Sequence, residues 1–283
     1  MKTEKYYQSA PLPFMGQKRM YVKEFREALK QFPEDAVYVD LFGGSGLLSY
    51  VTKREKPNAT VIYNDYDNYQ ERLKNIDRTN ALLADLRDIV KDSPRHKKVH
   101  PAVREIIFSR LEVEEKKGFV DYITLSSSLL FSMNYVQDLD ALKGEGIYNN
   151  VRMTDYTCYG YLDGLEITSC DYRILFEKYR LDQNVVYLVD PPYLSTEVGT
   201  YRMTWRLSDY LDVLNLLVGT SYIYFTSDKS NLIELCQWLG KNHWIGNPFN
   251  GSVRTEMFRN MNYNASYTDI MLYKKETQIP FKR

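Results

Sequence analysis

Four consecutive residues, Asp190-Pro191-Pro192-Tyr193, carry the strongest chemical character in the chain. They follow Val185-Val186-Tyr187-Leu188-Val189, a β-branched and aromatic run that predicts a strand buried on both faces. Open α/β sheets bind their ligands at the carboxyl ends of such strands. The two prolines hold the chain rigid and leave the Pro191 carbonyl without a place in the strand ladder. An acid, a fixed carbonyl acceptor and an aromatic plane together suit a planar base bearing an amino group. The alternative is a Pro-rich turn with a surface Tyr.

A second motif stands upstream. Val37-Tyr38-Val39-Asp40-Leu41-Phe42 reads as another strand, ends in Gly43-Gly44-Ser45-Gly46 and runs into the helical Leu47-Leu48-Ser49-Tyr50-Val51. Glycines at this junction let the backbone approach a ligand, and the following helix offers its first N–H groups. Asp65 closes the next strand, Ala59-Thr60-Val61-Ile62-Tyr63, where an acid can accept both hydroxyls of a ribose. A dinucleotide fingerprint requires a third glycine, and Ser49 holds that position. A nucleoside-type ligand therefore fits better than NAD or FAD. The competing reading is a tight turn with a solvated Asp65.

These motifs require a sheet to hold them. Strands alternate with helical segments, the pattern of an α/β parallel sheet. Tyr222-Ile223-Tyr224-Phe225 and Ile270-Met271-Leu272-Tyr273 add later strands, with a helix over Leu207 to Leu217. Val22, Phe25, Leu29 and Phe32 have the spacing of an amphipathic helix before the first strand. From about Lys91 to Leu165 the rhythm breaks. A charged start with Arg95, His96, Lys97, Lys98, Arg104 and Arg110 leads to an expected helix from Phe119 to Tyr135, then a Gly/Asn/Tyr-rich stretch. An inserted second domain is the simplest organisation, and 283 residues accommodate it.

Lys plus Arg and Asp plus Glu both number 37, so bulk charge names no partner. A nucleic-acid binder must then concentrate its positive charge locally. The densest run is Arg95 to Lys98, a candidate for phosphate contact, with a solvated charged face as the alternative. Three Cys without CxxC spacing disfavour a disulfide scaffold and a Cys-ligated zinc site, and no metal is expected. No run of about 18 apolar residues offers a membrane span. The expectation is a soluble protein of a reducing compartment.

In motif order the chain resembles the Dam-type adenine-N6 DNA methyltransferases. Pro13-Phe14-Met15-Gly16-Gln17-Lys18 resembles their N-terminal cofactor motif, and Asp40 to Gly46 their glycine loop. Asn64-Asp65 is similar to the ribose-binding acid, Ile167 to Tyr172 to the segment whose acid, here Asp171, faces the cofactor's adenine, and Asp190 to Tyr193 to the catalytic DPPY. Gln17 stands where relatives carry a second glycine. Phe131 to Tyr135 differs from the Asn-Gly stretch of GATC-recognising members, so that site is not carried over.

The resemblance implies a Rossmann-like, S-adenosylmethionine-dependent methyltransferase sheet, formed by residues 1–90 and 166–283. A mainly helical target-recognition domain at 91–165 would be inserted in it. It implies methyl transfer to the N6 of an adenine flipped out of a specific DNA duplex, an activity used in restriction-modification in the cytoplasm of a bacterium or phage-infected cell. Asp190, Pro191, Pro192 and Tyr193 would be catalytic. Phe14, Gly16, Lys18, Asp40, Phe42, Gly43, Gly44, Gly46, Asp65 and Asp171 would bind the cofactor, with Lys18 at its carboxylate and Asp40 at its amino group. Arg95, Lys97 and Lys98 would contact DNA. Tyr201, Arg202 and Trp205 either cover the target base or form a helix-entry loop. Two rival functions are methylation of RNA adenine or protein glutamine, whose enzymes more often carry Asn at the first motif position, and a catalytically silent DNA-binding paralogue.

Overall fold

The structure is a computed structural model, and it describes residues 6–131, 134–192, 205–241, 246–262 and 265–276. The chain divides into two compact units. Lys18–Asp67 with Leu162–Arg283 form a sheet unit; Met1–Gln17 with Asn68–Tyr161 form a helical unit.

The sheet unit holds β1 (Val37–Asp40), β2 (Thr60–Asn64), β3 (Glu166–Thr168), β4 (Val185–Val189), β5 (Ser221–Ser227), β6 (Val253–Asn262) and β7 (Ala265–Lys274). Their spatial order is β3-β2-β1-β4-β5-β7-β6, a Rossmann-like α/β sheet. The first five strands run parallel, and β7 is antiparallel to both β5 and β6. Strand order reverses between β1 and β4, where an α/β sheet opens a crevice beyond its carboxyl ends. Asp40 lies opposite Tyr63 on one side and Leu188 on the other, so β1, β2 and β4 end together at that crevice.

All five residues of β4 are buried. Helices cover the sheet because their apolar stripes match it. In α1 (Val22–Leu29) the residues Val22, Phe25, Ala28 and Leu29 are buried. Residues of α8 (Tyr172–Tyr179) and α9 (Leu207–Leu217), namely Leu175, Phe176, Val213 and Leu217, pack with Val39, Tyr187, Val189 and Tyr224 in one core. The first loop leads into α2 (Leu47–Glu55).

The helical unit begins with α3 (Tyr69–Lys74), and α4 (Ile76–Ile89), α5 (Pro101–Glu115), α6 (Tyr122–Leu129) and α7 (Leu139–Lys143) then surround a separate core of Leu82, Leu86, Ile107, Leu111, Leu125, Leu142 and Ile147. No described helix is long and apolar enough to cross a membrane.

Two expectations, on a helix and on the sheet, differ from this architecture, and the compact units divide the chain at other points than the expected domains. The helical unit begins at Asn68 rather than at residue 91 and includes the N-terminal segment. The reason is that Leu82, Leu83, Leu86 and Val90 of α4 and its end face the helical core. The expected helix from Phe119 to Tyr135 contracts to α6, started by the Asp121 cap on the Thr124 N–H and ended where Leu130 turns extended. The sheet is mixed rather than parallel, because β7 returns as a hairpin with β6.

Candidate active site

The glycine loop is shaped by backbone that only glycine adopts readily. Gly44 and Gly46 have φ of 50° and 72°, and the Gly46 N–H closes the turn on the Gly43 carbonyl at 2.7 Å. At Gly43 the constraint is space, since a Cβ would lie 2.3 Å from the Tyr63 ring. The Tyr63 hydroxyl stands 2.8 Å from the Gly44 carbonyl and 3.0 Å from Asp65 Oδ1, so it braces both the loop and the acid. Asn64 is buried beside it. Its amide donates to the Leu41 and Cys170 carbonyls and accepts from the Cys170 N–H, tying together the chain beyond β1 and β3. Asp65 is itself buried, its N–H bonded to Thr168 at 2.7 Å.

Two carboxylates stand at this end of the sheet, Asp40 buried and Asp190 half-buried. Asp40 is wholly buried; its Oδ2 accepts the Ser49 hydroxyl at 2.7 Å, while Oδ1 has no partner among the described residues. Burial pushes its carboxyl up to about 7, opposed by the Ser49 hydrogen bond and reinforced by the like charge of Asp190. Asp190 Oδ2 pairs with Lys18 Nζ at 2.6 Å, and its buried Oδ1 has no partner among the described residues. Burial also holds the Asp190 carboxyl above the usual range, with Lys18 working against it. Lys18 lies 5.8 Å over the Phe225 ring. Lys18, expected at a cofactor carboxylate, is paired with Asp190 in this structure.

The other expected residues separate into groups. Phe42 packs against Tyr172 at 4.9 Å and Trp205 at 5.4 Å, and Trp205 stacks on Tyr172 at 5.7 Å. Asp171 caps α8 through the Arg173 N–H at 2.8 Å and stays about one-third exposed. Phe14 and Gly16 lie in the helical unit, where Phe14 meets Tyr69 edge-on at 5.7 Å and Gly16 takes a φ of 79°. Pro191 is buried and Pro192 half-buried. Tyr193, Tyr201 and Arg202 lie outside the described residues.

In the helical unit the basic run Arg95 to Lys98 is exposed. Arg95 donates to the Val151 carbonyl at 2.6 Å and to Asn149 at 3.2 Å. Arg104 donates to the Lys143 carbonyl and lies 4.3 Å over Phe108. Arg110 pairs with Asp85 and Glu114. These three guanidinium groups make bonds inside the unit, although Arg95 itself stays exposed. Lys97 and Lys98 remain exposed, and Lys98 forms an isolated bridge to Tyr148. The Tyr148 ring lies 5.8 Å from that of Phe131, which is 66% exposed.

Sequence reasoning missed the roles of Ser49, Tyr63 and Asn64. One signal was present: Ser49 fills the place of a third glycine, and its hydroxyl is what orients Asp40.

Residues 14–211 match the family described as D12 class N6 adenine-specific DNA methyltransferases. The chain belongs to that family. The match runs from Phe14 into α9 and so spans the glycine loop, Asp65 and the Asp190 motif. A Haemophilus influenzae protein, provisionally named a methyltransferase, is 36% identical over 97% of this chain and 95% of its own. The protein is accordingly a methyltransferase. Among solved structures, a precorrin-6y C5,15-methyltransferase from Geobacter metallireducens aligns over 96% of this chain and 100% of its own, at 10% identity and a TM-score of 0.36. An rRNA methylase from Streptococcus thermophilus aligns over 90% and 97%, at 8% identity and 0.32. Likeness this remote says nothing about the site or substrate.

Proposed function

We propose that the protein methylates the N6 amino group of an adenine in a specific duplex DNA sequence, with S-adenosylmethionine as donor. The observation that carries this reading is Asp190 at the carboxyl end of β4: the residue is half-buried, but its Oδ1 is shut off from water and has no partner among the described residues. A buried acceptor without a partner costs free energy unless a ligand donates to it. The lone pair of an adenine amino group is delocalised into the ring. If Asp190 Oδ1 and the Pro191 carbonyl each accept one of its N–H bonds, that lone pair localises on nitrogen and becomes nucleophilic. Lys18 keeps the carboxylate charged while it does so. The base must leave the duplex to reach Asp190, at a cost of about a few kcal/mol, and Tyr193 is assigned to stack on it.

The residues present fit the cofactor. Asp40 Oδ1 is a second buried acceptor that a cofactor ammonium would satisfy, with Ser49 fixing the other oxygen. Asp65 would take the ribose hydroxyls, the loop at Gly43, Gly44 and Gly46 its close approach, and Phe14, Gly16, Phe42 and Asp171 the remainder. When bound, the cofactor supplies a methyl on a sulfonium, already an excellent leaving group. Positioning is then the protein's main contribution. Lys97 and Lys98 would contact phosphates.

Methylation-sensitive sequencing of DNA from cells expressing the protein tests this. The expected result is N6-methyladenine in one sequence context, lost with Asp190→Ala. An unmarked genome would overturn the reading.

A further inference from the structure

The N-terminal segment that carries Phe14 is fastened inside the helical unit by an unusually dense set of buried bonds. The Tyr69 hydroxyl accepts from the Leu12 N–H at 2.9 Å and donates to the Leu12 carbonyl at 3.1 Å. Leu12 is only 1% exposed, so water does not compete for these groups. One turn along α3, Arg72 Nη2 donates to the Pro13 carbonyl at 2.7 Å and to Thr124 Oγ1 at 3.1 Å. Its Nε lies 3.0 Å from both oxygens of Asp121. Asp121 is also the N-cap of α6, accepting the Thr124 N–H at 3.0 Å. One guanidinium thus joins the N-terminal segment to the first turn of α6.

The far end of α6 is anchored differently. The Leu129 carbonyl accepts the Tyr148 N–H at 2.7 Å, and the Leu130 carbonyl accepts the Asn150 amide at 2.9 Å. Tyr148 bridges to Lys98 and packs against exposed Phe131. Eight helical residues span about 12 Å, a rod short enough to move as one piece. Through Arg72 its first end is tied to the Pro13 carbonyl, and its second end leads into the exposed aromatic and basic edge.

We infer that Tyr69, Arg72 and Asp121 form a positioning node through which α6 links the N-terminal cofactor segment to the DNA-facing edge of the helical unit, coupling the two binding events. The inference rests on the proposed function, which assigns the cofactor to the segment at Phe14 and the DNA to the Lys98 edge. Coupling of this kind is reciprocal: DNA must strengthen cofactor binding by the same factor as cofactor strengthens DNA binding. The node contributes a defined register rather than a reacting group. Arg72→Lys keeps a cation opposite Asp121 but has no fork to reach Pro13 and Thr124 as well. Tyr69→Phe removes the Leu12 bonds and leaves the ion pair intact.

The test is calorimetric binding of S-adenosylhomocysteine, which cannot react, with and without the duplex identified by sequencing. In the wild type the duplex should tighten binding by at least about fivefold, the lower end of measured couplings. In both variants this factor should fall at least about threefold toward one. Turnover at saturating cofactor and duplex should stay within about threefold of wild type. A factor near one in the wild type overturns the inference, and so does an unchanged factor in folded variants, even if both affinities drop together. Should Arg72→Lys fail to fold, Tyr69→Phe decides alone. A wild type that binds no S-adenosylhomocysteine and marks no DNA overturns the proposed function itself.

Discussion

Glu114 in the helical unit and Asp40 in the sheet unit are both buried carboxylates, at 5% and 0% exposure, yet the protein treats them oppositely. Burial raises the Glu114 carboxyl, but hydrogen bonds from Arg78, Arg110 and Lys117 outweigh it and bring the group down to about 2. Asp40 receives the Ser49 hydroxyl and a weaker backbone hydrogen bond from Phe42, which do not offset its burial, and it sits at about 7. A buried charge surrounded by its own cations is structural, because every acceptor is already used. A buried acid left with an orphaned oxygen is held in readiness for something from outside. Asp190 belongs with Asp40, although Lys18 occupies one of its oxygens.

The contrast breaks most visibly at Asp190. Asp190→Ala should cut turnover by about 10²–10⁴-fold, the range for a positioned proton-accepting group, with cofactor affinity nearly unchanged. Asp190→Asn should retain part of the activity, since its carbonyl still accepts one N–H. Steady-state kinetics with a separate cofactor titration check both.

Glu114→Gln should do the reverse, leaving catalysis intact and costing stability. The expected loss is about 2–3 kcal/mol in urea unfolding, below the full cost of a broken buried pair. Arg78 and Arg110 soften it because about a quarter of each side chain stays in water.

The pH dependence sharpens the comparison. The Glu114 carboxyl is lowered on folding, so its contribution is complete above the unfolded value near 4.5 and disappears as pH falls through about 2. The Asp40 carboxyl is raised, so its contribution is complete below 3.8 and disappears as pH rises through about 7. Asp40→Asn should therefore stabilise the cofactor-free protein at pH 8, by about 1–2 kcal/mol once the imperfect amide pairing is subtracted. The same change should weaken cofactor binding, and wild-type affinity should fall as pH drops below about 7. Thermal unfolding and cofactor titration at pH 6 and 8 report both effects.

The parts of the fold readable in the sequence were those whose burial repeats along the chain. The strands β1, β2, β4 and β5 and the helices α1 and α9 announce themselves by β-branched runs or helical spacing. The strand β6 does not, because it is a solvent-facing edge carrying Arg254, Glu256 and Arg259 among its apolar residues. The three-residue β3 is too short for any period. Periodicity shows that α4 has an apolar face but not which core it meets. At the site, residue types marked Asp40, Asp65 and Asp190. The Tyr63 brace and the Lys18–Asp190 pair arise from contacts between separate segments, which no local pattern encodes, whereas the bond from Ser49 to Asp40 lies within one strand–loop–helix motif.

The smallest effect concerns the basic run. Arg95, Lys97 and Lys98 are all exposed, and the two lysines are the simpler pair to neutralise because Arg95 also bonds Val151 and Asn149 within the helical unit. Neutralising both should make the salt dependence of DNA affinity shallower by about 1–2 in log–log slope. Cognate and scrambled duplexes should weaken alike, because phosphate contacts carry no sequence information. Parallel salt plots of equal affinity would mean that this edge is only solvated.

The most direct test of the central claim is nucleoside analysis after incubating the purified protein with labelled S-adenosylmethionine and either duplex DNA or RNA. The account predicts label in N6-methyladenine from DNA alone, and none with Asp190→Ala. Label in RNA, in another base or in protein, or label persisting at wild-type level in Asp190→Ala, would contradict it.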